Sequence, residues 1–225
     1  MIDQSAATES VLVIACGAIA HELVAVMQAN RFDHIDVQCL PAKWHNTPAK
    51  IAPAIEHKLQ STQGCYSHTL VAYGDCGTGG ELDKVLEKFN VERLPGDHCY
   101  SFFAGATVFD AMAEAELGTF YLTDYLVDNF QQLIMDGLGI SRHPELRHQY
   151  FAHYKRVMYL AQGNQDNQSD KQLRRLASAE QAAEALQLEL AVHFTGLDPF
   201  EHALRVINIA GSPTHFQGRE TNARG

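Results

Sequence analysis

The sequence has no positive charge to spare. Its 17 Lys and Arg stand against 27 Asp and Glu, a formal net charge of −10 with histidine neutral. No Lys/Arg cluster breaks that balance, so nucleic acid is repelled on average and is not an expected partner. No apolar run approaches the ~20 residues of a membrane span. Met1 to Ser10 contains Asp3 and Glu9 but no basic residue and no apolar stretch, so it does not read as a secretory signal. The 5 cysteines include no C-x-x-C pair, which removes the zinc-finger and thioredoxin-type spacings. Repeats and low-complexity tracts are missing too. These absences point to a cytoplasmic globular protein. The odd cysteine count then favours free or metal-bound thiols over disulfides.

What is present is an alternation of strand and helix signals. Val11 to Ala15 is a wholly apolar run of strand length, as expected for a strand covered on both faces. Ile19, Leu23, Val26 and Met27 then share one face of a helix. Ile35, Val37 and Cys39 alternate with polar neighbours and predict a second strand, with Cys39 a small buried residue. Ile51, Ile55 and Leu59 carry the next helix, with Asn46 or Thr47 as its cap and Pro48 in its first turn. Further strands are predicted at His68 to Tyr73, Val91 to Leu94, Gly118 to Thr123, Lys155 to Leu160 and Leu190 to Phe194. A long helix from Asp170 to Leu188 places Leu173, Leu176, Ala183 and Leu186 on its buried side. The expected fold is α/β, a mainly parallel sheet flanked by helices, with residues 124–154 as a helical insertion. A chain of 225 residues fits a single domain over 11–210, with flexible tails at 1–10 and 211–225.

The stretch HTLVAYGDCGTGG, His68 to Gly80, organises the chemistry. A buried strand runs into a glycine-rich turn that holds Asp75 and Cys76, and a helix follows from Glu81. Open α/β sheets bind their ligands at such carboxyl ends. Cys16-Gly17 follows the first strand in the same way, and Pro95-Gly96-Asp97-His98-Cys99 follows the strand at Val91. In a parallel sheet these ends lie on one edge. Cys16, Cys76 and Cys99 are therefore expected to form one site, joined by His45 or His98. Three thiolates with an open fourth position suit zinc, with His45 as fourth ligand or base. The same three cysteines also suit an iron–sulfur cluster with one iron left open. Cys76 with a histidine base is the remaining option, a nucleophile pair that leaves the other two cysteines unexplained. His45 and Asp75 are the candidates for acid–base work. Asp75 also reads as a turn residue or as an acceptor orienting a ligand. Gly74, Gly77 and Gly79 are the candidate cofactor-cradling positions, although the turn lacks the Lys-Ser/Thr ending of a P-loop. Glu22, one helical turn past Cys16, reads equally as facing this edge or as solvated. Cys65 has no assigned role.

The segments ACGAIAHE at 15–22, LPAKWHNTP at 40–48, YGDCGTGG at 73–80, LPGDHCYSFFAG at 94–105 and GTFYLTDYL at 118–126 resemble the pattern of the DUF1638 family, over roughly residues 11–195. That family's function is unassigned, so the resemblance carries over no catalytic residue. Its members often occur near corrinoid proteins and corrinoid methyltransferases. The resemblance therefore implies a corrinoid protein as a partner and fits a zinc–thiolate site, since zinc activates thiols by holding them as thiolates. The resulting expectation is a metal-dependent enzyme that passes a methyl or other one-carbon group to or from a thiol or corrinoid and acts on a small-molecule substrate. Two alternatives stand beside it. One is an iron–sulfur enzyme built on the same cysteines. The other is a metal- or cofactor-binding accessory protein without turnover.

Overall fold

The computed structural model describes residues 10–166 and 169–206. The expected tails, save for Ser10, lie outside those residues, as does 207–210.

Strand β1 (Val11–Cys16) is the centre of the first half, and all six of its residues are buried. A 3-10 turn, Gly17–Ile19, leads into α1 (Ala20–Asn30), and β2 (Ile35–Leu40) follows. Two further 3-10 turns, Ala42–Asn46 and Pro48–Lys50, precede α2 (Ile51–Thr62) and β3 (His68–Ala72). Pro48 stands in a first turn as expected, but neither Asn46 nor Thr47 caps α2: Lys50 precedes it and makes no side-chain cap. After the cysteine-bearing loop come α3 (Glu81–Phe89) and the two-residue β4 (Glu92–Arg93). These strands form one parallel sheet in the order β2-β1-β3-β4, with Val11 opposite both Ile35 and His68. Because β1 is flanked on opposite sides by β2 and β3, the direction of winding reverses there. The crevice at a carboxyl-end switch point thus opens beside Cys16 and the loop after β3.

Two short helices, α4 (Tyr100–Ala104) and α5 (Ala106–Ala115), carry the chain to β5 (Thr119–Thr123). Gly105, at φ 79°, breaks what its apolar pattern suggests is one segment. Next come α6 (Asp124–Asp128), a π-helical stretch Gln131–Asp136, and α7 (Glu145–Phe151). They form the predicted helical segment between β5 and β6 (Arg156–Ala161). Helix α8 (Asp170–Leu186), β7 (Glu189–Phe194) and α9 (Asp198–Val206) complete the described chain. Strands β5, β6 and β7 pair in parallel as a second sheet. The α/β architecture with parallel strands flanked by helices is as expected, but the strands divide between two sheets. Strand β4 pairs only through Leu70 and Val71, and β5 takes β6 as its neighbour instead.

Each sheet has its own apolar core, one around β1, β3 and α2 and one around Leu122, Tyr159 and α8. Ala104, Met158 and Leu160 link the halves through Tyr100 and Tyr121. Helix α9 returns to the first core, where Phe200 stacks on Phe103 with ring centroids 5.3 Å apart. Two expected core residues face out. Leu173 is 51% exposed, because the first turn of α8 instead turns Gln172 inward to donate to the Tyr159 hydroxyl at 3.1 Å. Cys39 lies in β2 as predicted, but β2 is an edge strand and the thiol is exposed. Among the described residues no helix is long and apolar enough to cross a membrane.

Candidate functional site

Cys16 ends β1 and starts the 3-10 turn that follows it. Its side chain is 2% exposed, and its Sγ accepts the Ala18 N–H at 3.3 Å. Burial pushes the thiol up to about 11, although the Ala18 N–H and the Tyr73 hydroxyl act the other way. His45 sits in the turn after β2. Its Nδ1 lies 2.8 Å from the Ala42 carbonyl oxygen. A carbonyl can only accept, so Nδ1 carries the proton, and Nε2 of the neutral ring presents its lone pair. Cys16 Sγ stands 3.7 Å from Nδ1 and 4.0 Å from Nε2. Tyr73, the residue after β3, stacks on the His45 ring with centroids 6.5 Å apart and planes 14° apart. Tyr73 is buried, and its hydroxyl has no nitrogen or oxygen partner, only the Cys16 sulfur beside it. Burial, followed by the nearby Cys16 and then Cys76, holds this phenol far above its ordinary range.

The loop 74–80 is stitched to the loop after β4. The Asp75 N–H donates to the Gly96 carbonyl at 3.1 Å, and the Cys76 N–H donates to the Asp97 carbonyl at 2.8 Å. Gly74 makes this approach sterically feasible, since a Cβ there would stand 3.0 Å from both Gly96 O and His98 N. Cys76 is buried and adopts a left-handed φ of 51°. Residues with a side chain seldom do so, and when they do it is often at a functional site. Gly77 faces Pro48, whose Cγ lies 3.3 Å from the Cβ that the glycine lacks, so the turn after β2 packs directly on this loop.

Asp75 turns its carboxylate into its own loop. It accepts from the Thr78 hydroxyl at 2.6 Å, from the Gly80 N–H at 2.9 Å and from the Gly79 N–H at 3.1 Å. Burial alone would raise this carboxyl, but those donors outweigh it and hold it below the ordinary 3.8. A carboxylate with a depressed folded-state pKa stabilises above the unfolded value, and the stability is lost as pH falls through the folded one. Asp75→Ala is therefore expected to cost about 2 kcal/mol at neutral pH. The gap from wild type should narrow below pH 3.8. Urea unfolding at pH 7 and pH 3.5 measures it, and equal gaps at both would remove this role.

Cys99 stands just before α4 and is half-buried. Burial raises its thiol well above the ordinary value, and the neighbouring Cys76 and then Cys16 add to the effect. Burial lowers the proton affinity of His45, but the Cys76 sulfur beside it and the Ala42 carbonyl reverse this, so the net direction is upward. The structure thus brings Cys16, His45, Cys76 and Cys99 to one edge, together with Tyr73. His98 lies against the Tyr100 ring, with centroids 6.0 Å apart. Glu22 is buried rather than solvated, and burial raises its carboxyl. Cys65 is exposed.

The donor chemistry of this edge fits zinc. Zinc–sulfur and zinc–nitrogen bonds at a tetrahedral angle separate the two ligand atoms by about 3.6 Å, and the free Nε2 of His45 stands 4.0 Å from Cys16 Sγ. Among the described residues no group of three His, Cys, Asp or Glu stands ready to hold a metal ion. A ring nitrogen tied to a backbone carbonyl while the other stays free is also how metal-bound histidines are oriented.

In the sequence Tyr73 reads only as the last residue of a strand. The signal was there: a tyrosine closing a wholly buried strand brings a hydroxyl that needs a partner. The second half also contributes a wall that no local motif announces. A cavity of about 200 Å³ lies between the halves, lined by His45 and Cys99 on one side and by Phe120, Thr123 and Tyr125 on the other.

The family described as a protein of unknown function, DUF1638, matches residues 39–204. His45, Cys76 and Cys99 fall within that span and Cys16 precedes it. No curated protein and no solved structure matches the chain.

Proposed function

We propose that this chain, which belongs to the DUF1638 family, is a thiolate enzyme in which Cys16, Cys76, Cys99 and His45 hold zinc and serve methyl or other one-carbon transfer to or from a thiol. The observation that carries this reading is the gathering of three thiols and a phenol at one buried edge with little charge to balance them. Cys76 and Cys16 each oppose ionisation of Cys99 and of Tyr73. Arg93, whose guanidinium feels Cys76, is already bound to Asp83 at 2.5 and 3.0 Å. A divalent cation is the group that stabilises such a cluster, and zinc, when bound, keeps its thiols ionised at neutral pH. The rest of the chemistry falls to this chain's own residues. Ala42 holds the His45 ring in one orientation, which leaves Nε2 as the nitrogen that would complete the zinc site. A thiolate kept ionised there would accept a methyl cation while the donor keeps the bonding electron pair. The Tyr73 hydroxyl is free to donate to a neighbouring sulfur, and Asp75 holds the loop that positions Cys76. A small-molecule substrate, a corrinoid protein as methyl donor or acceptor, a cytoplasmic location and no nucleic-acid partner complete the proposal. The corrinoid comes from the family resemblance alone.

A second reading has its own support. The Cys76 sulfur lies beside His45 and favours the protonated ring, the arrangement of a thiolate–imidazolium nucleophile pair. Metal analysis of anaerobically purified protein, wild type beside Cys76→Ser, separates the two. About one zinc per chain, lost in Cys76→Ser, is the expected result. Several irons per chain with brown colour would select the iron–sulfur alternative. No metal in wild type, combined with iodoacetamide alkylation of Cys76 that slows at least tenfold in His45→Asn, would replace the metal centre with the nucleophile pair.

A further inference from the structure

The cavity beside Cys99 and His45 is apolar over most of its wall. Tyr100, Phe120, Leu126, Leu133, Ile134 and Leu138 line it, and Lys, Arg, Asp and Glu are absent from its described lining. Its other polar groups are mostly engaged. The Asn46 amide donates to the Leu133 carbonyl at 3.1 Å, and the Thr123 hydroxyl accepts the Leu126 N–H at 3.4 Å. The Tyr100 ring is stacked on Tyr121 with centroids 5.3 Å apart. The Tyr100 and Tyr125 hydroxyls add neutral polar groups to the wall, and the Cys99 sulfur and the His45 ring form the reactive end of a mostly apolar space. An apolar cavity of about 150 Å³ is already large enough for benzene, and this one measures about 200 Å³. A charged ligand would lose its hydration here with no counter-charge in the wall.

We propose that the cavity binds a small, uncharged, mostly apolar molecule of about six to ten non-hydrogen atoms, with its reactive group towards Cys99 and His45. This names the substrate class of the site proposed above and rests on that reading only for the chemistry at the sulfur end. A corrinoid ring is far too large for the space, so such a partner would meet the sulfur end from outside.

Thioanisole is the probe, with benzoate and benzylammonium as charged controls of similar size. Trp44, the single tryptophan of the chain and the neighbour of His45, reports binding by fluorescence, and calorimetry gives the stoichiometry. Saturable 1:1 binding of thioanisole is expected, with both charged controls at least tenfold weaker. Leu133→Trp fills the cavity and should weaken thioanisole at least tenfold. Leu138→Phe, a milder filling, should weaken it several-fold and stands in if Leu133→Trp does not fold. No saturable binding to wild type, equal binding of the charged controls, or unchanged binding in a folded filled variant would each overturn the proposal. Metal content is measured on the same samples. Zinc without thioanisole binding sinks the cavity reading alone, and thioanisole binding without zinc sinks the metal reading alone.

Discussion

Arg175→Met should cost about 3–5 kcal/mol of folding stability, because it leaves a buried carboxylate without its cation. Asp124 opens α6 at the carboxyl end of β5 and is 3% exposed. Its Oδ1 accepts from the Tyr159 hydroxyl at 2.6 Å and from the Gln162 N–H at 3.2 Å. Its Oδ2 is bound by the Arg175 guanidinium, which also reaches Asp128 at 2.5 and 2.9 Å. Those neutral donors orient Asp124 but do not cancel its charge. Asp128 is the contrast: its side chain is 41% exposed, so Asp128→Asn should cost no more than about 1 kcal/mol. The coupling is testable directly. Asp124→Asn combined with Arg175→Met should recover part of the loss, since the uncompensated charge is gone. Urea denaturation of the four proteins measures this, and a loss below about 1 kcal/mol for Arg175→Met would show that water reaches Asp124.

Gly74→Val is expected to destabilise by about 2–3 kcal/mol, the range for overpacking, and to dismantle the cysteine edge with it. The missing Cβ of Gly74 would meet Gly96 O and His98 N at 3.0 Å and Asp97 C at 3.1 Å. All three are backbone atoms, so no side chain can swing away. The two loops cannot simply part either, because Asp75 and Cys76 donate to the Gly96 and Asp97 carbonyls across the same contact. Cys76 and Cys99 are carried by these two loops, and the added methyls must separate them. Gly79→Ala is the control. It has open space around its Cβ but a φ of 63°, so its cost should be the backbone penalty alone, about 1 kcal/mol. Thermal unfolding and zinc content read both effects. A Gly74→Val protein of wild-type stability that keeps its metal would show that the loop contact is not what places Cys76.

Much of the framework is legible locally. β1 reads as a doubly covered strand because Val11 to Ala15 has no polar residue, and it lies buried at the centre of its sheet. The helix at Asp170 announces itself by its length and by Ser169, whose hydroxyl caps it by accepting the Gln172 N–H at 3.2 Å. Where the local pattern misleads, a distant partner overrides it. Leu173 has the right spacing for the core, yet the demand of buried Tyr159 brings Gln172 inward. Asp75 reads both as an acid–base candidate and as a turn residue, and its carboxylate accepts from the amides of its own turn, donors only a few residues away.

The sequence by itself determined the family, the alternation of strands and helices, the parallel α/β class and the positions of three cysteines at or past strand ends. Each depends on periodicity and turn chemistry within a few residues. Only the tertiary structure decided that the strands split into two sheets, that Cys16 meets His45, that the Tyr73 hydroxyl has only the Cys16 sulfur beside it, and that an apolar cavity lies against Cys99. These depend on which strand takes which neighbour and on how loops from distant parts of the chain pack together. Backbone hydrogen bonding and steric fit settle such contacts across the whole fold, and no short window of sequence contains them.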